Sequence, residues 1–185
     1  IVSEENKENN LMNKGIFWLI DPLDGTKEFI NGSDEYTVNI ALIKNHKPQF
    51  GLIHAPSKKL TYFTKKNNSY KLNEDNTEKK IRTSTNKLNY KIALMSNSHS
   101  NNDTDNYIKN NRIPFTKKIG SSLKFCIIAE GEGDIYPRFG RTMEWDTAAG
   151  QAIVESAGGK VEELDGEPLT YGKDNFVNPS FICRS

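Results

Sequence analysis

Trp18-Leu19-Ile20-Asp21-Pro22-Leu23-Asp24-Gly25-Thr26-Lys27-Glu28-Phe29 runs from the end of an apolar stretch into two carboxylates three residues apart. Phe17 to Ile20 reads as a buried strand, Pro22 fixes its own φ, and Gly25 permits a tight reversal. The pattern predicts a proline-shaped turn that faces Asp21 and Asp24 into one pocket. The Leu23 carbonyl can add a neutral oxygen, and Mg²⁺ takes a few protein oxygens together with waters and substrate phosphate. On its own, Asp-x-x-Asp-Gly is equally well explained by an Asx-type turn capping the next helix.

Glu144-Trp145-Asp146-Thr147-Ala148-Ala149-Gly150 opens a second informative stretch. It predicts a small-residue helix from Asp146 to Ala157, closed by Gly158-Gly159 as a glycine C-cap. Asp146 stands at its start, where a favoured N-cap needs no metal to explain it. Trp18 and Trp145 are expected in the core wall.

The 185 residues suit a single domain, residues 1–185, with a core of its own. Hydrophobic residues make up 35%, and Asn and Lys fill the deficit. Lys65-Lys66-Asn67-Asn68, Asn73-Glu74-Asp75-Asn76 and Asn101-Asn102-Asp103 read as solvated hairpin tips. With 25 basic and 24 acidic residues the net charge is +1, which offers no broad field to a nucleic acid polymer. No window approaches the roughly 18 apolar residues of a membrane span. Cys126 and Cys183 are too few for a disulfide scaffold or a zinc site, and a reducing cytoplasm fits. Gly131-Glu132-Gly133 lacks the third glycine of a dinucleotide fingerprint, and no Walker loop or Gly-x-Ser-x-Gly elbow is present.

Strands are expected at Phe17 to Ile20, Tyr36 to Ile43, Gln49 to His54, Leu60 to Thr64 and near Lys80 to Arg82. Short connections make this part, about residues 1–90, an antiparallel sheet. From about 91 to 185 strands and helices alternate: Lys91 to Met95, Asp103 to Asn110 (helix), Ser122 to Glu130 (helix), Asp134 to Tyr136, Asp146 to Ala157 (helix) and Lys160 to Glu162. The fold class is therefore α/β, an α+β layered sandwich whose two parts share a core.

The two acidic stretches, in this order and with Ser3-Glu4-Glu5 upstream, resemble the magnesium-dependent, lithium-sensitive phosphatase superfamily of inositol monophosphatase. Asp24-Gly25-Thr26-Lys27-Glu28-Phe29, Gly120-Ser121-Ser122-Leu123-Lys124-Phe125-Cys126 and Tyr136-Pro137-Arg138-Phe139-Gly140 look like its 3'(2'),5'-bisphosphate nucleotidase branch. The resemblance runs from Ser3 to about Pro179. It implies αβαβα layers, with the N-terminal helical layer lying before Ile1 and this chain being a fragment. It also implies that Glu4, Asp21, Leu23, Asp24 and Asp146 hold two or three Mg²⁺ ions, clustered carboxylates that need cations to stay ionised together. Thr26, Asp24 and Glu4 are the catalytic set: the Thr26 hydroxyl orients the attacking water, with an acidic partner in the missing segment. Gly25 and Thr26 cradle the scissile phosphate at the start of a short helix, unless Thr26 is a simple N-cap.

Ser121, Lys124, Arg138 and Asp146 are implied contacts to a phosphorylated nucleotide, Lys124 and Arg138 as cations for its second phosphate. Read without the family, Lys124 is the solvent side of an amphipathic helix and Arg138 a surface strand residue. Ser96-Asn97-Ser98-His99 follows a predicted strand and is expected to border the nucleotide. The implied activity is hydrolysis of adenosine 3',5'-bisphosphate to AMP and phosphate by two-metal activation of water, in the cytoplasm or peripheral to the inner membrane. An inositol monophosphatase, a sugar bisphosphatase, and a catalytically silent metal- and nucleotide-binding fragment are the competing expectations.

Overall fold

A computed structural model describes residues 1–6, 15–85, 91–97 and 101–185. The first part forms β1 (Val2–Ser3), β2 (Ile16–Asp24), α1 (Thr26–Ile30), β3 (Thr37–Lys44), β4 (Lys47–Ala55), β5 (Leu60–Lys65), β6 (Asn68–Leu72) and β7 (Glu78–Ile81). These seven strands pair in sequence order; β1 runs parallel to β2 and the rest form an antiparallel meander. The second part contributes β8 (Ile92–Ser96), α2 (Asn102–Asn110), β9 (Phe115–Ile119), α3 (Leu123–Ala129), β10 (Ile135–Arg138), β11 (Thr142–Met143), α4 (Glu144–Ala157), β12 (Lys160–Glu163), β13 (Val177–Asn178) and β14 (Phe181–Arg184). Its main sheet has the order β12-β14-β10-β8-β9, parallel across β10, β8 and β9, while β11 and β13 form a separate pair. Helices α3 and α4 lie between the two sheets, and α2 packs on β10. The fold is the mixed-sheet α/β architecture expected.

Close packing between the layers explains the small residues of α4. Gly51 on β4 lies so near this helix that a Cβ there would stand 2.4 Å from the Ala149 carbonyl oxygen, and one on Gly150 would meet the Phe125 ring at 2.4 Å. One hydrophobic cluster then runs from Phe17, Leu19 and Ile43 through Phe125 and Ile153 to Phe181, so both parts share a core.

Several expectations are corrected. The proline-shaped turn is a strand: β2 continues through Pro22 to Asp24, with a register shift between Asp21 and Asp24. Asp21 opposes Asn39 and Asp24 opposes Thr37, so Pro22 and Leu23 face Val38 alone. This is a β-bulge, a place where a residue without a backbone N–H is tolerated. Burial alternates along β3. Thr37, Asn39, Ala41 and Ile43 are buried while Val38, Ile40 and Leu42 are half-buried, because α4 covers the first set. Trp18, expected in the core wall, is 38% exposed on the other face of the sheet, edge-on to Phe50; Trp145 is buried against Phe176.

Helix α4 begins two residues earlier than expected, so Asp146 is its third residue and not its N-cap. Lys66 and Asn67 do turn a hairpin, both at positive φ, yet β6 behind them was unforeseen. Asn101-Asn102-Asp103 is no hairpin tip: Asn101 caps α2, its side chain accepting from the Thr104 N–H at 2.9 Å. Cys126 and Cys183 are buried free thiols. Among the described residues no helix is long and apolar enough to cross a membrane.

Candidate active site

The bulge makes the site. Along an even strand Asp21 and Asp24 would project to opposite faces. With one extra residue between them, they oppose Asn39 and Thr37, which share the buried face of β3, and so both carboxylates take that face. Asp21 is 1% exposed and accepts the Leu23 N–H at 3.0 Å, so the Asx-type turn and the inward-facing pair coexist. Asp24 Oδ2 accepts the Ser122 N–H at 2.5 Å and lies 3.4 Å from both Thr37 Oγ1 and Asn39 Nδ2. Ser122 Oγ donates to Asn39 Oδ1 at 2.7 Å, which closes a buried polar network behind Asp24. Thr37, Asn39 and Ser122 were not foreseen as site residues. Their signal was two polar side chains in phase with buried Ala41 and Ile43.

Asp146 reaches the same region from α4. Its Oδ2 accepts the Met143 N–H at 2.7 Å, and the fully buried Glu144 carboxylate fixes the start of that helix by accepting from Gly172 N–H, Lys173 N–H and Lys173 Nζ. Glu4 follows β1, and its N–H donates to the Ile20 carbonyl at 3.2 Å, which sets it beside Asp21. Burial first, then the charges of Asp24, Glu4 and Asp146, push the Asp21 carboxyl up to about 9. Burial and Asp24 push Asp146 to about 7, and burial raises Asp24 against the opposing pull of Lys124.

A cavity of about 290 Å³ opens beside these groups, and Asp24, Gly25, Thr26, Asp146, Ser121, Lys124 and Arg138 are among the residues that line it. Glu4, Asp21 and Leu23 lie outside its lining. Gly25, at φ +87°, precedes α1 as its N-cap without a side-chain bond, so Thr26 is not an N-cap. The Thr26 hydroxyl instead donates to the Leu23 carbonyl at 3.1 Å. Lys124 is not a solvent-side lysine: it is buried, its Nζ donating to the carbonyls of Ile119 at 3.0 Å and Ser121 at 2.6 Å above the Tyr136 ring. Burial lowers its ammonium to about 8 despite Asp24 nearby. Arg138 is half-buried and donates to the Arg141 carbonyl at 3.2 Å. Ser96 lines the cavity; Ser98 and His99 lie outside the described residues.

The chemistry of the donor set fits a hard dication. All the candidate ligands are oxygens, and buried carboxylates that raise one another's pKa are what such an ion relieves. Among the described residues no three acidic, histidine or cysteine side chains stand close enough to form a ready coordination shell. The carboxylates sense one another's charge across the cavity floor but are not drawn together.

Comparison with known proteins identifies the family. The family described as "Inositol monophosphatase family" matches residues 1–182. A Buchnera aphidicola protein named 3'(2'),5'-bisphosphate nucleotidase CysQ is 44% identical over 190 residues, covering 100% of this chain and 71% of that protein. The Salmonella typhimurium protein of the same name is 43% identical over 166 residues, covering 89% of this chain and 66% of its own length. In structure, the chain matches CysQ from Bacteroides thetaiotaomicron with a TM-score of 0.89 and 39% identity, over 100% of this chain and 76% of that one. The Thermotoga maritima inositol monophosphatase matches at 0.77 and 26%, over 98% and 67%. Enzymes of this kind are metal-dependent, generally on Mg²⁺. Matched along almost its whole length in sequence and in fold, the chain belongs to the inositol monophosphatase family.

Proposed function

We propose that this chain forms the core of a Mg²⁺-dependent phosphomonoesterase that converts adenosine 3',5'-bisphosphate to AMP and inorganic phosphate, clearing a by-product of sulfate assimilation. The observation that carries this reading is one cavity lined both by carboxylates, Asp24 and Asp146, and by cations, Lys124 and Arg138. The relatives named as bisphosphate nucleotidases support it.

Glu4, Asp21, Asp24, Asp146 and the Leu23 carbonyl would hold two or three Mg²⁺ ions. Bound there, Mg²⁺ polarises the phosphoryl oxygens and makes water more acidic. The chain's own groups do the rest. Thr26 Oγ, held by the Leu23 carbonyl, presents an acceptor lone pair that orients the attacking water. The Gly25-Thr26 turn and Asp146 border the scissile phosphate. Water adds to phosphorus, the P–O3' bond breaks, and O3' leaves with a proton. Lys124 has one N–H beyond its two carbonyl bonds, and with Ser121 and the Arg138 guanidinium it binds the non-scissile phosphate.

A monophosphorylated inositol would leave Lys124 and Arg138 facing no second anion, so the nucleotide is the better substrate for this wall. Phosphate release by the full-length protein from adenosine 3',5'-bisphosphate, inositol 1-phosphate and fructose 1,6-bisphosphate tests the reading. The expected result is highest kcat/KM for the nucleotide. Preference for either of the other two, or release from none of them, overturns it.

A further inference from the structure

Glu35, in the connection between α1 and β3, belongs to neither the acidic set nor the cationic set, yet its carboxylate ties three distant segments together. One oxygen, Oε2, accepts the Gly120 N–H at 2.7 Å and the Asn97 side-chain amide at 2.5 Å. Asn97 follows the end of β8, next to the cavity-lining Ser96; Gly120 ends the approach from β9 and precedes Ser121 and Ser122. The main chain of Glu35 is equally involved. Its carbonyl oxygen lies 3.0 Å from where a Gly25 Cβ would be and 2.9 Å from where a Gly120 Cβ would be, while Glu28 Cγ stands 2.8 Å from the latter point. Both glycines are therefore required for the 24–26 turn and the 120–122 turn to close on Glu35. Gly25 also needs its positive φ.

The 120–122 turn is demanding in its own right. Ser121 sits at φ 48°, unusual for a residue with a Cβ, and the next N–H, from Ser122, is the one given to Asp24. Lys124 holds the same turn from below through the Ser121 carbonyl.

Resting on the nucleotide reading, we infer that Glu35 is a positioning residue for substrate specificity. As a hydrogen-bond acceptor it pins the Ser96-Asn97 and Gly120-Ser122 segments, the wall that grips the non-scissile part of the substrate, to the acidic loop. Asp21 is held by the Leu23 N–H and Asp146 by the Met143 N–H, and Asp24, which takes the Ser122 N–H of the pinned turn, is also flanked by Thr37 and Asn39 of β3. Its loss therefore loosens substrate grip more than chemistry.

The test compares wild type, Glu35→Ala and Glu35→Gln in the full-length protein, with Mg²⁺ present. Three readouts are taken: AMP binding by calorimetric titration, KM and kcat for adenosine 3',5'-bisphosphate, and turnover of p-nitrophenyl phosphate, which has no second anion. Loss of two bonds to a charged acceptor predicts AMP binding and KM about tenfold weaker in Glu35→Ala. Turnover of p-nitrophenyl phosphate should stay within about twofold of wild type. Glu35→Gln keeps an acceptor oxygen at the same reach and should stay close to wild type. Should Glu35→Ala fail to fold, Asn97→Ala removes one of the two donors and should shift KM in the same direction by less. Three outcomes overturn the assignment: AMP binding unchanged in Glu35→Ala, equal loss on both substrates, or Glu35→Gln as weak as Glu35→Ala. Wild type that hydrolyses p-nitrophenyl phosphate but binds no AMP overturns the nucleotide reading first, and this inference with it.

Discussion

The acidic and basic walls of the cavity are built by opposite means. The acidic group begins in one strand, where a single bulge turns Asp21 and Asp24 inward, and is completed by Asp146 at the start of α4. The cations follow no such local device. Ser121 and Lys124 come from the β9–α3 connection and α3, and Arg138 from β10. Lys124 reaches the cavity only because α3 is buried between two sheets. A short motif can specify local backbone geometry, but a wall drawn from separate elements exists only once the layers have packed.

The sharpest way to break this contrast is Asp24→Asn. If the acidic wall carries the chemistry, turnover should fall by about a thousandfold or more, since metal-assisted charge stabilisation contributes several kcal/mol. The fold should survive, and the metal-free variant should melt no lower than wild type, because one of several mutually repelling buried carboxylates is gone. Near wild-type turnover would remove Asp24 from the metal site.

Lys124→Ala addresses the other wall. Steady-state kinetics should show KM for adenosine 3',5'-bisphosphate rising by about ten- to a hundredfold, as loss of a charge-assisted contact predicts, with kcat less affected. A fall in kcat with KM unchanged would move Lys124 from substrate grip to chemistry. The separation of the walls itself depends on layer packing. Gly51→Ala should cost about 1–3 kcal/mol in urea unfolding, since its new Cβ meets the Ala149 carbonyl oxygen, backbone that cannot rotate away.

The acidic groups also set a pH dependence. Asp21 and Asp146 are raised on folding, to about 9 and about 7, so between the ordinary carboxylate range and those values the folded chain binds more protons than the unfolded one. Stability of the metal-free protein therefore falls as pH rises through that window. Mg²⁺, which binds the ionised forms, should flatten the slope. Urea midpoints measured at several pH values with chelator and with Mg²⁺ check this; a flat metal-free profile would show that neither burial nor neighbouring charge raises these carboxyls.

Much of the site was legible because its motifs are local. Asp21, Asp24, Gly25 and Thr26 follow one another, and Asp146 opens a helix whose Ala and Gly content already announces tight packing. Phase and boundary were not legible. Thr37 and Asn39, not Val38, Ile40 and Leu42, lie on the core face of β3, where they form the polar network behind Asp24. Pro22 suggested a turn where the strand continues as a bulge. Neither could be read from propensity, because each depends on what lies opposite.

By itself, the sequence determined the family, the acidic residues proposed as ligands and the alternation of elements beyond residue 91, for these rest on residue identity and short-range spacing. The tertiary structure alone decided that Asp21 and Asp24 share a face, that Lys124 is a buried cation and that Glu35 bridges three segments. Those facts arise from strand register and from side chains separated by up to 98 residues along the chain, and such proximity is set by packing, which no local pattern encodes.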